Sequence, residues 1–372
     1  MVRCTTLVIA VAVNSLDLSS ARRGSSGVVA VHGADQRGDS GGQLRLGLVG
    51  AGEGATLHVD AAHQLSDLVR ITAVADPRPK AAQQLAARCE AVPLPDHHEL
   101  AESGLVDAVV VASPHHEHCE QVVDLAEAGL PILVEKPMAL SVADCERMIR
   151  AAADGGVPLA VGHLQRYLPT IAAARRLLAE GRIGHPRMFL ERRSVRYEPG
   201  THPGWFFDPA AAGEGGILTN LGAHCMDKLF LFTGRRIARP TSAWTSGDGV
   251  ATEAAVTLDL AEDAHATIVL TGTGLPHSEL SEVVGSAGAM RISRVDGISV
   301  FVRGQVVHRV PAAVGELTHA FVAQLADFHT AVVAGQAPVV GGDYGHDVLV
   351  ALEQVSAIAN RPRASTLDRD PS

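Results

Sequence analysis

The chain has 372 residues, 47% hydrophobic and 3% aromatic, a length and apolar content that suit two domains with ordinary packed cores. Against 31 basic residues stand 41 acidic ones, a net charge of −10 with no Lys/Arg block, so neither a nucleic-acid footprint nor a base-stacking platform is expected. The five cysteines (Cys4, Cys89, Cys119, Cys145, Cys225) form no C-x-x-C pair and read as reduced thiols of a cytoplasmic protein, and no run reaches the length of a membrane span.

Residues 1 to 43 differ in character from the rest of the chain. Leu7 to Val13 is a short apolar run after Arg3, but it is not succeeded by a small-x-small cleavage site. The pair Arg22-Arg23 lies on the wrong side of that run for a twin-arginine signal. From Arg22 to Gln43, Gly, Ser and charged residues dominate, which predicts a disordered extension rather than an export signal.

The apolar run Leu44 to Val49 then leads into Gly50-Ala51-Gly52-Glu53-Gly54-Ala55 and a helical segment to Leu65. A second apolar run, Val69 to Ala75, stops at Asp76. Strand, glycine turn, helix, strand and acid form the dinucleotide fingerprint in its full context. Gly50 is expected to make the tight turn and Gly52 to let backbone amides approach a pyrophosphate, with the helix N-terminus facing its charge. Ala55, in place of a third glycine, still permits close helix–strand packing. Asp76 is expected to accept from the ribose hydroxyls and to favour NAD over NADP, while Arg78 offers a partner for a 2′-phosphate.

Helices are expected over Pro79 to Arg88, His98 to Ser103, His115 to Ala128 and Ser141 to Ala153. Between them lie strands at Ala91 to Leu94, Val106 to Ala112, Pro131 to Glu135 and Pro158 to Val161. Their apolar runs do not alternate, as in strands covered on both faces of a doubly wound parallel sheet spanning 44–163. After a connecting helix, Tyr167 to Glu180, the pattern changes. Arg187 to Val195, Glu253 to Leu260, His265 to Leu270 and Ser299 to Val302 alternate in part, predicting an α+β domain over 164–372 with a large, mostly antiparallel open sheet. Its expected helices are Gly216 to Phe232, Thr318 to Val333 and Tyr344 to Asn360. An exposed sheet face suits a homo-oligomer.

Three short motifs carry candidate chemistry. Glu135-Lys136-Pro137 comes after the fifth strand at the carboxyl edge, where open α/β sheets bind ligands. Gly162-His163-Leu164-Gln165-Arg166-Tyr167 comes after the sixth strand at the same edge. In Gly216 to Asp227, Asn220 and His224 are four apart and share one helical face. Together these residues resemble the glucose-fructose oxidoreductase / inositol dehydrogenase / rhizopine-catabolism (Gfo/Idh/MocA) family, over about Leu44 to Asn360.

The resemblance implies a Rossmann domain followed by an α/β domain with a large open sheet, a nicotinamide cofactor, and oxidoreduction of a sugar, cyclitol or related polyol. It carries the lysine of the Glu-Lys-Pro motif onto Lys136 and the catalytic histidine onto His224. The aspartate of the usual D-x-x-x-H pattern falls on Asn220, a departure. It also implies cofactor contacts from Ser113, His118, Glu135 and Lys136; Arg166, where the chain leaves the parallel sheet, is expected to touch cofactor or substrate. Oxidising a secondary alcohol requires removal of its hydroxyl proton, for which a positioned imidazole is suited near neutral pH. Lys136 is expected to hydrogen-bond the same oxygen. Asn220 can orient a hydroxyl or the imidazole but supplies no charge, so His224 is expected to titrate lower than beside a carboxylate.

Tyr167 sits where the chain leaves the parallel sheet and is placed at the substrate. Trp205 suits either a wall of the sugar pocket or packing at the domain junction. Ser113 is read as the N-cap of the helix after it. Arg192, Arg193 and Arg196 are expected to face solvent or another subunit. His115, His116 and His118, beside Glu117, lack a second ligand cluster, so no metal is expected. Two other uses of the same residues stay open: a hydride relay with tightly held NAD in glycoside cleavage or epimerisation, and a cofactor-binding sensor without catalysis. A truncated protein beginning at Gly42 is expected to keep its melting temperature and activity; a drop of several degrees in a thermal melt would show that the first 41 residues support the fold.

Overall fold

The computed structural model describes residues 42–213, 216–246, 250–272 and 274–359. The expected extension, apart from Gly42 and Gln43, the residues 214 and 215 just before the third motif, and the end of the last helix at Asn360 lie outside these residues.

The first half alternates strand and helix. It runs β1 (Leu44–Val49), α1 (Glu53–Gln64), β2 (Val69–Ala75), α2 (Pro79–Cys89), β3 (Val92–Leu94), α3 (His97–Glu102) and β4 (Ala108–Val111). It continues through α4 (His118–Glu127), β5 (Ile132–Val134), α5 (Val142–Asp154) and β6 (Leu159–Val161). The six strands are parallel, in the order β3-β2-β1-β4-β5-β6. Ala108 to Val111 are fully buried, because helices cover both faces. Strand order reverses between β1 and β4, which opens a crevice at their carboxyl ends.

The expected helix over His115 to Ala128 divides. His115–Glu117 form a 3₁₀ turn, and the α-helix starts at His118. Ser113 caps neither piece: its hydroxyl donates to Gln121 Oε1 at 2.5 Å, correcting the N-cap expectation. Ser141, by contrast, caps α5 by accepting from the Asp144 amide at 3.1 Å.

The second half begins with a 3₁₀ turn over Leu164–Tyr167 and α6 (Pro169–Ala179), followed by β7 (Pro186–Ser194), a short α7 (Pro209–Ala212) and α8 (Ile217–Thr233). Next come β8 (Ile237–Ser246), β9 (Glu253–Leu260), β10 (Ala264–Thr271), β11 (Ser278–Gly285), β12 (Ala289–Ser293), β13 (Gly297–Val302) and β14 (Gln305–Val310). Helices α9 (Glu316–Ala334) and α10 (Gly342–Ala359) complete it. The eight strands form one open sheet, β14-β13-β12-β11-β7-β10-β9-β8, antiparallel except for the β7/β10 pair. The architecture is therefore the expected one: a parallel doubly wound sheet plus a large, mostly antiparallel sheet.

Strands β8, β11, β12 and β14 fall outside the segments read from the sequence. In β8, Pro240 and a polar composition hide the strand; proline is tolerated because β8 is an edge and the register shifts there. In β11, two inward positions are Glu279 and Ser281, so the apolar alternation is lost.

Those polar residues hold α8. Lys228 Nζ lies 2.5 Å from Glu191 Oε1 on β7, 2.6 Å from Glu279 Oε1 and 3.1 Å from Ser281 Oγ, all in the interior. Ser281 also donates to Glu191 Oε2. The C-terminal segment returns to the first sheet: the Val161 amide donates to the Val340 carbonyl at 2.9 Å, and α10 packs on α5 and β6 as well as on α8. Removing one partner of a buried ion pair strands the other charge. Lys228→Met is therefore expected to lower unfolding free energy by about 3–5 kcal/mol in a urea titration. An unchanged midpoint would show that the network does not anchor α8.

Candidate active site

The carboxyl edge of the parallel sheet and the Asn220–His224 face of α8 enclose a cleft of about 700 Å³. Its floor is the turn after β1. Gly50 has φ +93°, and a Cβ there would meet the Ala112 carbonyl oxygen at 2.7 Å. A Cβ on Gly52 would meet nothing within 4 Å; without it the turn presents only backbone to the cleft. Gly54 lies close to Ala112, and Ala55 is fully buried against the sheet. Glu53 opens α1 at the helix's positive end. A tight backbone turn, a helix N-terminus and an open cleft fit a pyrophosphate.

Asp76, buried at the end of β2, accepts from the Ala51 amide at 2.8 Å and from the Arg78 amide at 2.9 Å. The Arg78 guanidinium forks onto the same carboxylate through Nε and Nη2, both at 2.8 Å. Burial pushes this carboxyl up, but the hydrogen bonds from Arg78 and Ala51 outweigh it and hold Asp76 below its ordinary value. Arg78 is thus committed to Asp76, although its side chain remains 67% exposed.

Across the cleft, Lys136 Nζ donates to Asn220 Oδ1 at 2.7 Å and lies 3.4 Å from the Asn220 carbonyl. Burial brings Lys136 down to about 8; Glu135 acts upward and Arg193 downward. Glu135 Oε1 lies 2.9 Å from His58 Nε2, and its other oxygen accepts from the Lys136 amide at 3.2 Å. Gly162 makes room for this carboxylate, since a Cβ there would meet Glu135 Oε2 at 2.8 Å. Although burial raises it, His58 and Lys136 hold Glu135 below the usual carboxylate range.

His224 lies one helical turn beyond Asn220, and its Nδ1 is 3.3 Å from Gln165 Nε2. Burial, then the charges of Lys136, Arg193, His163 and Lys228, hold His224 well below the ordinary histidine range. A neutral imidazole therefore faces the cleft at neutral pH. Gln165 Oε1 has no partner. With the Gln165 amide donating, the imidazole proton rests on Nε2; with the amide turned, it rests on Nδ1 and leaves Nε2 free as a base.

Gly50 to Gly54, Asp76, Arg78, Ser113, Glu135, Lys136, Trp205, Asn220 and His224 all line this cleft. Trp205 packs edge-on against His115 at 4.7 Å between ring centroids, so it is both wall and junction. Three expected contacts lie elsewhere. His118 is fully buried, with Nδ1 3.1 Å from the Pro137 carbonyl and Nε2 3.0 Å from the Ser113 carbonyl, tying together the loops after β4 and β5. Arg166 lies 4.3 Å over the Tyr344 ring and 3.8 Å from Asp227, behind α8. The Tyr167 hydroxyl donates to Asp327 on α9 at 2.9 Å. Each of these side chains is engaged within the fold, away from the cleft.

Arg192 and Arg196 are exposed as expected, but Arg193 is buried and lines the cleft. Alternation along β7 turns Phe189, Glu191 and Arg193 inward, a pattern masked by the charged types. Sequence reasoning also passed over Gln165, which lies inside a quoted motif, and His202, and weighed His115 only as a metal ligand; all three line the cleft. In the 115–118 turn, His115 packs edge-on against both Trp205 and His118, with ring centroids 4.7 and 5.8 Å away, His116 lies 3.9 Å from Glu117, and both His118 nitrogens are on carbonyls. A different group, His97, His98 and Asp124, brings ligand-type atoms within 4.8 Å of one another, held by a 2.9 Å His97–Asp124 hydrogen bond.

Comparison with known proteins accords with this geometry. Residues 44–163 match a sequence model described as "Oxidoreductase family, NAD-binding Rossmann fold", and residues 171–291 match the "GFO/IDH/MocA C-terminal domain". The rhizopine catabolism protein MocA of Rhizobium meliloti is 32% identical over 197 residues, covering 52% of this chain and 58% of that protein. Inositol 2-dehydrogenase 4 of Saccharopolyspora erythraea is 28% identical over 267 residues, covering 70% and 77%. Two solved structures share the fold. GenD2 from gentamicin A biosynthesis, in complex with NAD, has a TM-score of 0.76 at 24% identity, covering 88% of this chain and 97% of its own. Levoglucosan dehydrogenase, in complex with NADH, has a TM-score of 0.77 at 21% identity, covering 85% and 97%. The chain belongs to the Gfo/Idh/MocA family of NAD-binding oxidoreductases.

Proposed function

We propose that this protein is an NAD-dependent dehydrogenase that interconverts a secondary alcohol and a ketone on a sugar, cyclitol or related polyol. The observation that carries the reading is the meeting of Lys136, Asn220 and His224 in one cleft with the glycine turn. Gly50 to Gly54 and Asp76 would hold the dinucleotide, and the nicotinamide supplies hydride acceptance and donation when bound. The remaining work falls to the chain's own groups. His224 Nε2 takes the hydroxyl proton in oxidation, with Gln165 holding the ring through Nδ1. Lys136 Nζ donates to the same oxygen and stabilises charge developing on it. Asn220 holds the ammonium without neutralising it. A cytoplasmic homo-oligomer, associating through the outer face of the eight-stranded sheet, belongs to the same reading.

Lys136→Ala is expected to lower turnover by roughly two to four orders of magnitude while leaving NAD affinity nearly unchanged, since the dinucleotide contacts lie on the glycine turn. His224→Ala should fall similarly, and the double variant by less than the product. Screening polyols while monitoring absorbance at 340 nm tests this; near wild-type turnover of Lys136→Ala would sink the assignment.

The pH dependence has a definite sign. His224 is already neutral at neutral pH, so alcohol oxidation should show no acid limb near the usual histidine value. It should fall as pH rises through about 8, where Lys136 loses its proton. Asn220→Asp places a carboxylate beside the ammonium and should move that limb to higher pH. A limb that stays put in Asn220→Asp would assign it to another group.

For the cofactor, the buried Asp76 carboxylate is expected to repel a 2′-phosphate, so NAD should bind at least about tenfold tighter than NADP. Asp76→Ala, which releases Arg78, should narrow or reverse that ratio in a fluorescence titration. Equal affinities in the wild-type protein would overturn the choice.

A further inference from the structure

Outside the proposed chemistry, and among the described residues, His97, His98 and Asp124 bring three ligand-type atoms within 4.8 Å of one another. The two histidines open α3 directly after Asp96, whose side chain caps the helix by accepting from the Glu99 amide at 2.9 Å. Asp124 stands on α4, 27 residues beyond His97. The imidazole rings lie close together, their centroids 4.0 Å apart and their planes tilted by 35°. His97 Nε2 is 2.9 Å from Asp124 Oδ2, and His98 Nε2 is 3.8 Å from the same oxygen, beyond hydrogen-bond reach.

A hydrogen bond accounts for the approach of His97 to the carboxylate, but not for the convergence of a second imidazole on the same oxygen. Two imidazoles and a carboxylate are a mixed nitrogen–oxygen donor set suited to first-row divalent metals such as zinc. Around a tetrahedral ion with bonds of about 2.1 Å, neighbouring donor atoms stand about 3.4 Å apart. The 2.9 and 3.8 Å separations bracket that value, so small side-chain rotations bring the three atoms onto one ion. The group is also open to solvent: side-chain exposure rises from 15% at His97 to 36% at Asp124 and 63% at His98. Magnesium, which favours an octahedral shell of oxygens, is poorly served by a site with two imidazoles.

The geometry points to a divalent transition-metal site of zinc type, formed by His97 Nε2, His98 Nε2 and the Asp124 carboxylate, with water completing the coordination. On binding, each neutral imidazole keeps its N–H on Nδ1 and gives the Nε2 lone pair to the ion, so no redox step is involved. The ion clips the start of α3 to α4. His97 also lines the cleft, and it follows Leu94, whose carbonyl accepts from the Asp76 amide at 3.1 Å. The clip therefore fixes the rim at the dinucleotide end, while hydride transfer stays with the groups around Lys136. The site stands or falls independently of the dehydrogenase reading.

Calorimetric titration with zinc chloride tests this on the full-length protein, prepared without a polyhistidine tag and stripped of metal by a chelator that is then dialysed away. Zinc binding is expected, and His98→Ala and Asp124→Asn should each weaken it at least about tenfold, the low end of what even a supporting residue contributes to metal affinity. Asp124→Asn retains an oxygen to accept from His97, so a carboxylate with a purely structural role would tolerate the change. His98→Ala alters an exposed side chain and serves if Asp124→Asn does not fold. Zinc should also raise the melting temperature of the wild-type protein and leave that of the variants unchanged. Magnesium in excess should not displace it. Absence of zinc binding, zinc affinity that survives either substitution unchanged, or ready displacement by magnesium overturns the inference.

Discussion

The buried ammonium of Lys228, clamped between Glu191 and Glu279, is the constraint on which the cleft depends. Helix α8 carries Asn220, His224 and Lys228 at four-residue spacing, so the same face that meets the cleft at one end is locked to β7 and β11 at the other. An apolar contact would hold α8 as strongly but would tolerate rotation and sliding. An ion pair with hydrogen bonds on both carboxylates is directional and favours one register of α8 on the sheet. Register matters here because misplacing a catalytic group by about 1 Å can cost about a hundredfold in rate.

The cleft is closed by residues from both halves of the chain. Lys136, at the carboxyl end of β5, reaches Asn220 on α8, so one hydrogen bond spans the two halves. Around it, Trp205 on His115, the α1–α9 contact of His58 with Phe321, and the return of Val340 to β6 keep those halves in place. Three polar residues that sequence logic placed in the site serve this joint instead. His118 ties two loops of the parallel sheet, Arg166 stacks on Tyr344 of α10, and Tyr167 bonds Asp327 of α9. Lying next to a ligand motif in sequence brings a residue to the sheet edge; side-chain direction then decides whether it faces the cleft or the scaffold behind it.

Electrostatics divides the cleft as well. At the dinucleotide end, Asp76 is held ionised by Arg78 and by backbone amides. At the other end, Lys136 is hydrogen-bonded to neutral Asn220, Arg193 is paired with Glu279, and burial keeps the His224 imidazole uncharged. Asn220 is central to this asymmetry: it keeps the hydrogen bond to Lys136 and omits the charge that an aspartate would bring.

The sequence by itself determined the parallel sheet, the glycine turn, the acid at the end of β2 and the spacing of Asn220 and His224. Each is written in local patterns, such as unbroken apolar runs, φ-permissive glycines and four-residue spacing, that hold whatever the rest of the chain does. Only the tertiary structure decided the partners of Arg78, His118, Arg166 and Tyr167, the inward turn of Arg193, and the strands β8 and β11. For His118, Arg166, Tyr167 and Arg193 the physical reason is shared. A buried polar group is stable only with a partner, and most of these partners lie far away in sequence, so types that look solvated in the chain are interior in the fold.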